Sequence, residues 1–219
     1  MPESRRNMST SDKDLKRLLE NLDNHEGRLR RLETQEIGVA SGGGLPLIEE
    51  QTPSGVSSTT FSAIPGTYRH LMLAWIAQSD AATIETGLQM EFNGDTTATN
   101  YHWSRHDYLD ALGGGADRHE IFGANALMVF GLIPSEAAAD VDPNEFGVGW
   151  ADLNYYSGDK WKNILSISAS FTGGLLDNEG ERAFSGRWKN TAAISSLLIR
   201  TSDASNFEAG TTFALYGVN

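Results

Sequence analysis

The stretch HWSRHDY, residues 102–108, places a serine, a histidine and a carboxylate within four positions of the chain. Ser104, His106 and Asp107 are the residue types of a nucleophile, a base and the acid that orients the base. Successive side chains of a strand point to opposite faces, so Ser104 and His106 share one face while Asp107 lies on the other. Since the acid of a working triad contacts the base, this spacing argues against catalysis and favours a strand that faces solvent or an interface.

Other stretches contain metal-binding residue types. RHEIFG, residues 118–123, has His119 and Glu120 but lacks the second histidine of a zinc-protease helix. FNGDTTATN and DVDPNE are rich in carboxylate and amide oxygens, yet neither has the glycine and terminal glutamate of a calcium-binding helix-loop-helix. We therefore predict no metal site and no cofactor, with a structural calcium ion in one of these loops as the weaker alternative.

The acidic composition leaves glycan hydrolysis as a further alternative. Residues 37–219 contain 21 acidic residues, so some carboxyl pairs must fall at the separations of roughly 5–9.5 Å that glycosidases use. Because such proximity arises by chance in a domain this acidic, it does not predict an enzyme. We predict that the chain is not one.

Five tryptophans are candidate stacking surfaces for a sugar or for another subunit. Trp75 lies in an almost wholly apolar stretch, which indicates a core position. Trp161 and Trp188 are each flanked by basic residues on both sides. These two are therefore the candidates for an exposed contact with a receptor or a partner subunit, and anchoring a subunit interface is the favoured use of such a large aromatic.

Composition excludes several classes of function. The 219 residues are 39% hydrophobic, which suffices for a core, and the absence of cysteine rules out thiolate catalysis, disulfides and cysteine-bound zinc. Residues 1–36 carry eight basic and eight acidic residues, so the net charge of −12 belongs to the remainder, which repels nucleic acid and anionic lipid. No apolar run approaches 18 residues, so we expect no membrane insertion.

An apolar repeat precedes this acidic region. The sequence LKRLLENLDNHEGRLRRLE, residues 15–33, has apolar positions at alternating spacings of three and four, which predicts a coiled coil over residues 11–37. The seam is formed by Leu15, Leu18, Leu22, His25, Leu29 and Leu32. Its strand number stays open, and a helix packed on its own domain is the alternative. His25 is interpreted as a polar layer that fixes register, with an ion site or a pH-sensitive layer as the alternative.

The periodicity changes from 3.5 to 2 at about residue 56. Ten short candidate strands follow, separated by turn signals such as Asn93-Gly94-Asp95. This pattern predicts a mainly β domain, an antiparallel β-sandwich and most simply a jelly roll. The resulting division is a docking segment at residues 1–10, the coiled coil at 11–37, a flexible linker at 38–55 and a β-sandwich head at 56–219.

Three stretches of the head resemble a group of bacteriophage virion proteins of the tail-fibre, minor-tail and capsid-fibre type. They are TTFSAIPGTYRHLMLAWIAQSD, MEFNGDTTATNYHW and GRWKNTAAISSLLIRTSDASNFEAGTTFALYGVN. The resemblance lies in the strand leading into Ile64-Pro65, in the Phe-Asn-Gly-Asp turn followed by Asn-Tyr, and in the Leu-Tyr-Gly mark of the C-terminal hairpin. It covers most of residues 56–219.

The resemblance implies a structural role in a phage particle. The expected protein is a homotrimeric fibre or decoration component on the virion surface, docked to other phage structural proteins through its N-terminal segment. It brings no catalytic residues to this chain. A receptor-binding module that contacts a host surface glycan is the alternative, and a glycan-degrading enzyme comes third.

Overall fold

The computed structural model describes residues 44–109, 116–122, 127–136, 143–170 and 180–219, and Leu45–Asn219 form one compact unit. The predicted docking segment and the coiled coil, with its seam from Leu15 to Leu32, lie outside the described residues. Within these ranges the regular structure is almost entirely β, with a single three-residue 3₁₀ turn at Ala98–Asn100. The prediction of a mainly β domain is confirmed.

The described part of the chain contains twelve strands. They are β1 (Leu47–Gln51), β2 (Ser58–Phe61), β3 (His70–Ala77), β4 (Glu85–Phe92), β5 (Tyr101–Leu109), β6 (Ala116–Phe122), β7 (Met128–Pro134), β8 (Gly147–Asn154), β9 (Lys162–Ser170), β10 (Gly180–Trp188), β11 (Leu197–Thr201) and β12 (Thr212–Val218). All ten stretches with a period of two coincide with one of these strands. The alternation of apolar and polar residues was therefore sufficient to predict ten of the twelve strands.

Two strands were not predicted. Leu47–Gln51, with the sequence LIEEQ, pairs with β12, so the linker predicted at residues 38–55 is wrong in this part and the domain begins at Leu45. Its two adjacent glutamates break the alternation of apolar and polar residues that marks a strand. Ala116–Phe122 pairs with β5 and contains the His119-Glu120 pair, whose backbone is thus extended and not helical.

The strands form two antiparallel sheets. The larger has eight strands in the order β1-β12-β3-β8-β9-β10-β5-β6, and the smaller has four in the order β2-β11-β4-β7. Eight of the strands pair in a nested manner: β1 with β12, β2 with β11, β3 with β8 and β4 with β7. The remaining four strands, β5 and β6 together with β9 and β10, all extend the larger sheet on one side.

Large aromatic side chains from both sheets meet in one hydrophobic core. Trp75 of β3 packs edge-on against Phe130 of β7, with ring centroids 5.1 Å apart. A Cβ atom on Gly149 would lie 2.2 Å from Cζ2 of Trp75, so this glycine makes room for the indole. Trp75 is 3% exposed, which confirms its predicted core position.

Strand β9 turns its serines inward. Ser166, Ser168 and Ser170 are fully buried, whereas Leu165 and Ile167 lie on the outer face of the sheet. A strand that buries hydroxyls and exposes aliphatic side chains reverses the usual pattern of a two-layer domain.

Hydrogen bonds to the other sheet explain this reversal. The Ser166 hydroxyl donates to the carbonyl oxygen of Phe130 at 2.6 Å, and the backbone N–H of Leu132 donates to the Ser168 hydroxyl at 3.3 Å. Both backbone groups belong to β7, the edge strand of the smaller sheet, whose outer polar groups pair with no other of the described strands. Small hydroxyls on β9 satisfy them without holding the sheets apart, which aliphatic side chains cannot do.

This arrangement predicts that the buried hydroxyl of Ser166 stabilises the fold. Ser166→Ala leaves the Phe130 carbonyl without its donor, and we expect a loss of about 1–3 kcal/mol in the free energy of unfolding, measured by urea denaturation. Ser62→Ala, at an exposed position, serves as the control and should change stability by less than about 0.5 kcal/mol. Equal effects of the two substitutions would contradict a structural role for the Ser166 hydroxyl.

Candidate assembly surface

The outer face of the eight-stranded sheet carries a continuous apolar patch, which we name the β3-β8-β9 patch. Pairing places Ile76 beside Val148 and Trp150 beside Ile167. Leu165 lies two positions before Ile167 on β9 and points to the same face of the sheet. These five side chains are each 36–50% exposed. Scattered exposed aliphatic residues need no explanation, but a contiguous set on one sheet face is typical of an interaction site.

The surroundings of the patch change gradually from apolar to polar. The neighbouring outward positions Met72, Ala74, Ala169 and Ala183 are half-buried and apolar, and they extend the patch along and across the strands. Beyond them lie polar positions: His70, Asn154, Asn163, Glu181 and Arg187. An apolar centre with a polar rim is the ordinary anatomy of a protein interface.

One carboxylate reaches into the patch. Asp152 pairs with Leu165 across β8 and β9, and with Met72 across β8 and β3. Burial raises the pKa of Asp152, and the charge of His70 only partly opposes this. The aliphatic neighbours thus already remove water from this carboxylate in the isolated chain.

Trp161, one of the two tryptophans predicted to make an exposed contact, lies at the rim of this patch. It immediately precedes β9 and is 48% exposed. The guanidinium carbon of Arg187 lies 5.4 Å from the centroid of its ring, a cation–π contact that holds the indole on the outer side. Its exposure agrees with the prediction, and the contact itself stays a prediction.

Trp188 does not lie where the sequence analysis predicted. Its side chain is fully buried, so the exposed contact predicted from its basic neighbours is wrong. The indole packs against Phe92 of the smaller sheet, with ring centroids 5.4 Å apart, and its N–H donates to Asp95 Oδ2 at 2.7 Å. Arg187 and Lys189 flank it because neighbours along a strand point to the opposite face, which a count of flanking charges does not reveal.

The Asp95 carboxylate, which binds the Trp188 indole, belongs to a tight turn and stabilises the residues that follow it. Asn93 and Gly94 both have positive φ, at 53° and 68°, and the N–H of Asp95 donates to the Phe92 carbonyl at 2.9 Å, as in a type I′ turn. Besides Trp188, the carboxylate accepts hydrogen bonds from the Asn100 side chain at 2.8 Å and from the backbone N–H of Thr97 at 3.0 Å. The predicted turn is confirmed, and its carboxylate is occupied by protein donors.

The residues examined for triad chemistry are separated as expected. Ser104 lies on the outer face of β5, where its hydroxyl is 2.8 Å from that of Ser185, and His106 is on the same face. Asp107 is 2% exposed and points inward, where Arg105 Nε lies 2.9 Å from its Oδ1. The prediction that the serine and the carboxylate occupy opposite faces is confirmed.

Asp107 belongs to a buried group of charges between the sheets. Glu85 of β4 accepts two hydrogen bonds from the Arg182 guanidinium, at 2.8 and 2.9 Å, and a further one from the Ser170 hydroxyl. Arg182 Nε is 3.8 Å from Asp107 Oδ1, so this arginine lies between both carboxylates. Burial raises the pKa of Glu85, while the charge of Arg182 and the hydrogen bond from Ser170 oppose this.

The described residues contain neither a metal-binding cluster nor a membrane-spanning helix. Among the described residues there is no group of three or more histidines and carboxylates placed to hold a metal ion, and no helix with the length and apolar character to cross a membrane. In sequence comparisons, no family model and no curated protein matches this chain.

The environment of Asp95 gives a pH-dependent prediction. Burial acts to raise the pKa of Asp95, but hydrogen bonds from Trp188, Asn100 and Thr97 outweigh it and hold the pKa below its ordinary 3.8. A depressed pKa means that the ionised carboxylate stabilises the fold above pH 3.8 and that this contribution is lost as pH falls through the lower folded-state value.

We therefore expect Asp95→Asn to lower the urea midpoint at neutral pH, and the difference from the original chain to shrink below pH 3.8. Tryptophan fluorescence measures both, since Trp188 contacts the carboxylate. Asp159→Asn, at an exposed position, is the control and should leave the midpoint nearly unchanged. A difference that stays constant across the whole pH range would show that the charge of Asp95 plays no part.

Proposed function

We propose that this chain is a structural component of a bacteriophage particle, a homotrimeric fibre or capsid-decoration protein that displays its β domain outward. The β3-β8-β9 patch is the observation that carries this proposal, because an acidic domain that exposes an aliphatic sheet face needs a partner to cover it. A second and a third copy of the same chain provide that cover. The proposed location is the surface of the virion.

The strand order supports a jelly-roll head. Nested pairing of the first strand with the last, the second with the eleventh, and so on inward is how one long hairpin folds over into two facing sheets. Double-sheet jelly rolls built in this way occur in viral capsid proteins and in lectins. In our proposal the eight nested strands are the jelly roll of a β-sandwich, and β5, β6, β9 and β10 are insertions that widen one sheet.

The dimensions of the larger sheet suit an interface. Eight strands spaced about 4.8 Å apart give a face roughly 38 Å wide, and about six residues along each strand then supply the roughly 800 Å² per partner of a standard interface. The insertions matter here, because β9 carries Leu165 and Ile167. Without β9 the patch would keep only its β3 and β8 residues.

Charge explains why this face is the one that copies share. Residues 37–219 hold nine basic and 21 acidic residues, so two copies repel each other over most orientations. Among the patch residues and the half-buried positions that adjoin them, Asp152 is the acidic one, and its pKa is already raised by burial. Contact through the β3-β8-β9 patch therefore brings few like charges together. The N-terminal segment is then left to dock on other phage structural proteins.

Light scattering of the purified chain tests the assembly. We expect three copies for the full chain, and an oligomer also for residues 45–219, because the patch belongs to that compact unit. The double substitution Leu165→Thr with Ile167→Thr replaces exposed side chains, so residues 45–219 should remain folded but become monomeric. Val56→Thr, which changes an exposed aliphatic residue in the connection between β1 and β2, is the matched control and should leave the mass unchanged.

Two results would contradict the proposed assembly. A monomer in both lengths would remove the homotrimer altogether. The second is a trimer that forms only in the full chain and that the double substitution does not disrupt. This result would mean that residues 11–37, and not the sheet face, hold the copies together. Circular dichroism of the double variant separates lost assembly from lost folding.

The phage assignment has its own test. An antibody against residues 45–219 should label particles produced by the genome that encodes this chain, at positions that repeat with the symmetry of the capsid or tail in electron micrographs. Unlabelled particles, with the protein confined to the soluble fraction of the lysate, would overturn the assignment. A self-assembling protein of another kind would then remain.

A further inference from the structure

A small groove lies on the four-stranded sheet, in the domain but away from the β3-β8-β9 patch. It has a volume of about 300 Å³, near the lower end of the range for small-molecule sites. It runs along β11, between the start of β2 and the turn that follows Thr201. Its lining consists of Ser57, Ser58, Leu198, Arg200, Thr201, Ser202 and Ala204.

Arg200 is the charged group of this groove. Its Nε donates to the Gln89 side-chain oxygen at 3.2 Å, which fixes the plane of the guanidinium. Among the described residues, the two terminal nitrogens have no hydrogen-bond or ion-pair partner. A guanidinium anchored at Nε presents these two nitrogens side by side, the geometry that binds the two oxygens of a carboxylate.

Hydroxyl-bearing residues line the groove together with this cation. Within the described part of the chain, the hydroxyls of Ser57 and Ser58 have no hydrogen-bond partner, and Ser58 pairs directly with Arg200 across β2 and β11. The Ser202 hydroxyl, in contrast, is already bound to the backbone N–H of Gly87 at 3.2 Å. Ser57 and Ser58 thus offer donors and acceptors of the kind that bind sugar hydroxyls, and Leu198 supplies an apolar contact beside them.

The turn after β11 fixes the far wall. Thr201 donates its hydroxyl to the Ser205 carbonyl at 2.6 Å, and Asp203 accepts from the backbone and side chain of Ser205 at 3.1 and 2.7 Å. Hydrogen bonds with Ser205 hold the pKa of Asp203 below its ordinary value despite burial, so this carboxylate is engaged within its own turn. The shape of the groove is therefore set before any ligand arrives, which lowers the entropic cost of binding.

We propose that this groove binds the carboxylate of an acidic sugar, a uronic acid. Arg200 holds the carboxylate through its two terminal nitrogens, and Ser57 and Ser58 bind ring hydroxyls. The inference goes beyond the structural role proposed above and is independent of it. In a chain with net charge −12, a guanidinium that has no acidic partner among the described residues and lines a groove together with hydroxyl-bearing side chains is the feature that selects an anion.

Titration of the full chain with glucuronate, followed by NMR or calorimetry, tests the site. A single sugar held by one bidentate contact should bind with a dissociation constant on the order of millimolar. Glucose is the matched neutral probe and should bind at least about tenfold more weakly, since it lacks the carboxylate that forms the charge-assisted pair with Arg200. Inorganic phosphate is the anion probe without ring hydroxyls and should also bind more weakly than glucuronate.

Variants locate the binding. Arg200→Gln should abolish glucuronate binding, and Arg200→Lys should weaken it because a lysine cannot make the paired contact. Arg187→Gln, on the other sheet, is the control and should bind as the original chain does. Unchanged binding by Arg200→Gln, no binding of glucuronate, or equal binding of phosphate would each overturn the proposal. None of these results bears on the copy number measured by light scattering, so the two proposals fail separately.

Discussion

The contact between β7 and β9 constrains most of this structure. β7 ends the smaller sheet, and its backbone polar groups would be buried without partners if β9 presented aliphatic side chains to it. Ser166 and Ser168 supply the missing hydrogen bonds to Phe130 and Leu132. Because a strand has only two faces, Leu165 and Ile167, which alternate with these serines, must then point outward. The apolar outer surface is thus a consequence of how the inner one is satisfied.

The row of inward-facing serines on β9 leads to the buried group of charges. Ser170, the next inward serine of β9, contacts both Glu85 and Arg182, and Arg182 reaches Asp107 on the neighbouring strand. The end of the space between the sheets where Glu85, Ser170 and Arg182 meet is therefore polar, although the rest of the space is a hydrophobic core that includes Trp75 and Phe92. Removing one member of such a buried group leaves a charge without a partner, which costs more than the intact group contributes. This end of the domain depends on all of its members together.

Strand positions were predictable from the sequence because alternation is a local property. The Asn93-Gly94 turn was equally readable, since positive φ at two successive residues favours this dipeptide. Which face of β9 is buried could not be predicted from its sequence. One face carries Ile164 and three serines and the other carries Leu165 and Ile167, and only the position of β7 determines which of the two faces inward. The prediction that Trp188 is exposed was wrong for a related reason. Its partner Asp95 lies far away in sequence, whereas its charged neighbours along the strand point to the opposite face. The patch and the Arg200 groove depend on register across strands, which no single strand encodes.

The nested pairing of strands also bears on how the protein is made. β1 leaves the ribosome first of the described strands, yet its sheet partner β12 is the last of them to appear. Pairing over such sequence separation is slow, and until it occurs the early strands expose unpaired edges. The interior hairpins, β3 with β8 and β4 with β7, can form while synthesis continues. A shortened translation product that ends before β12 would leave β1 unpaired and one edge of β3 open, which makes such fragments prone to aggregation in the cell.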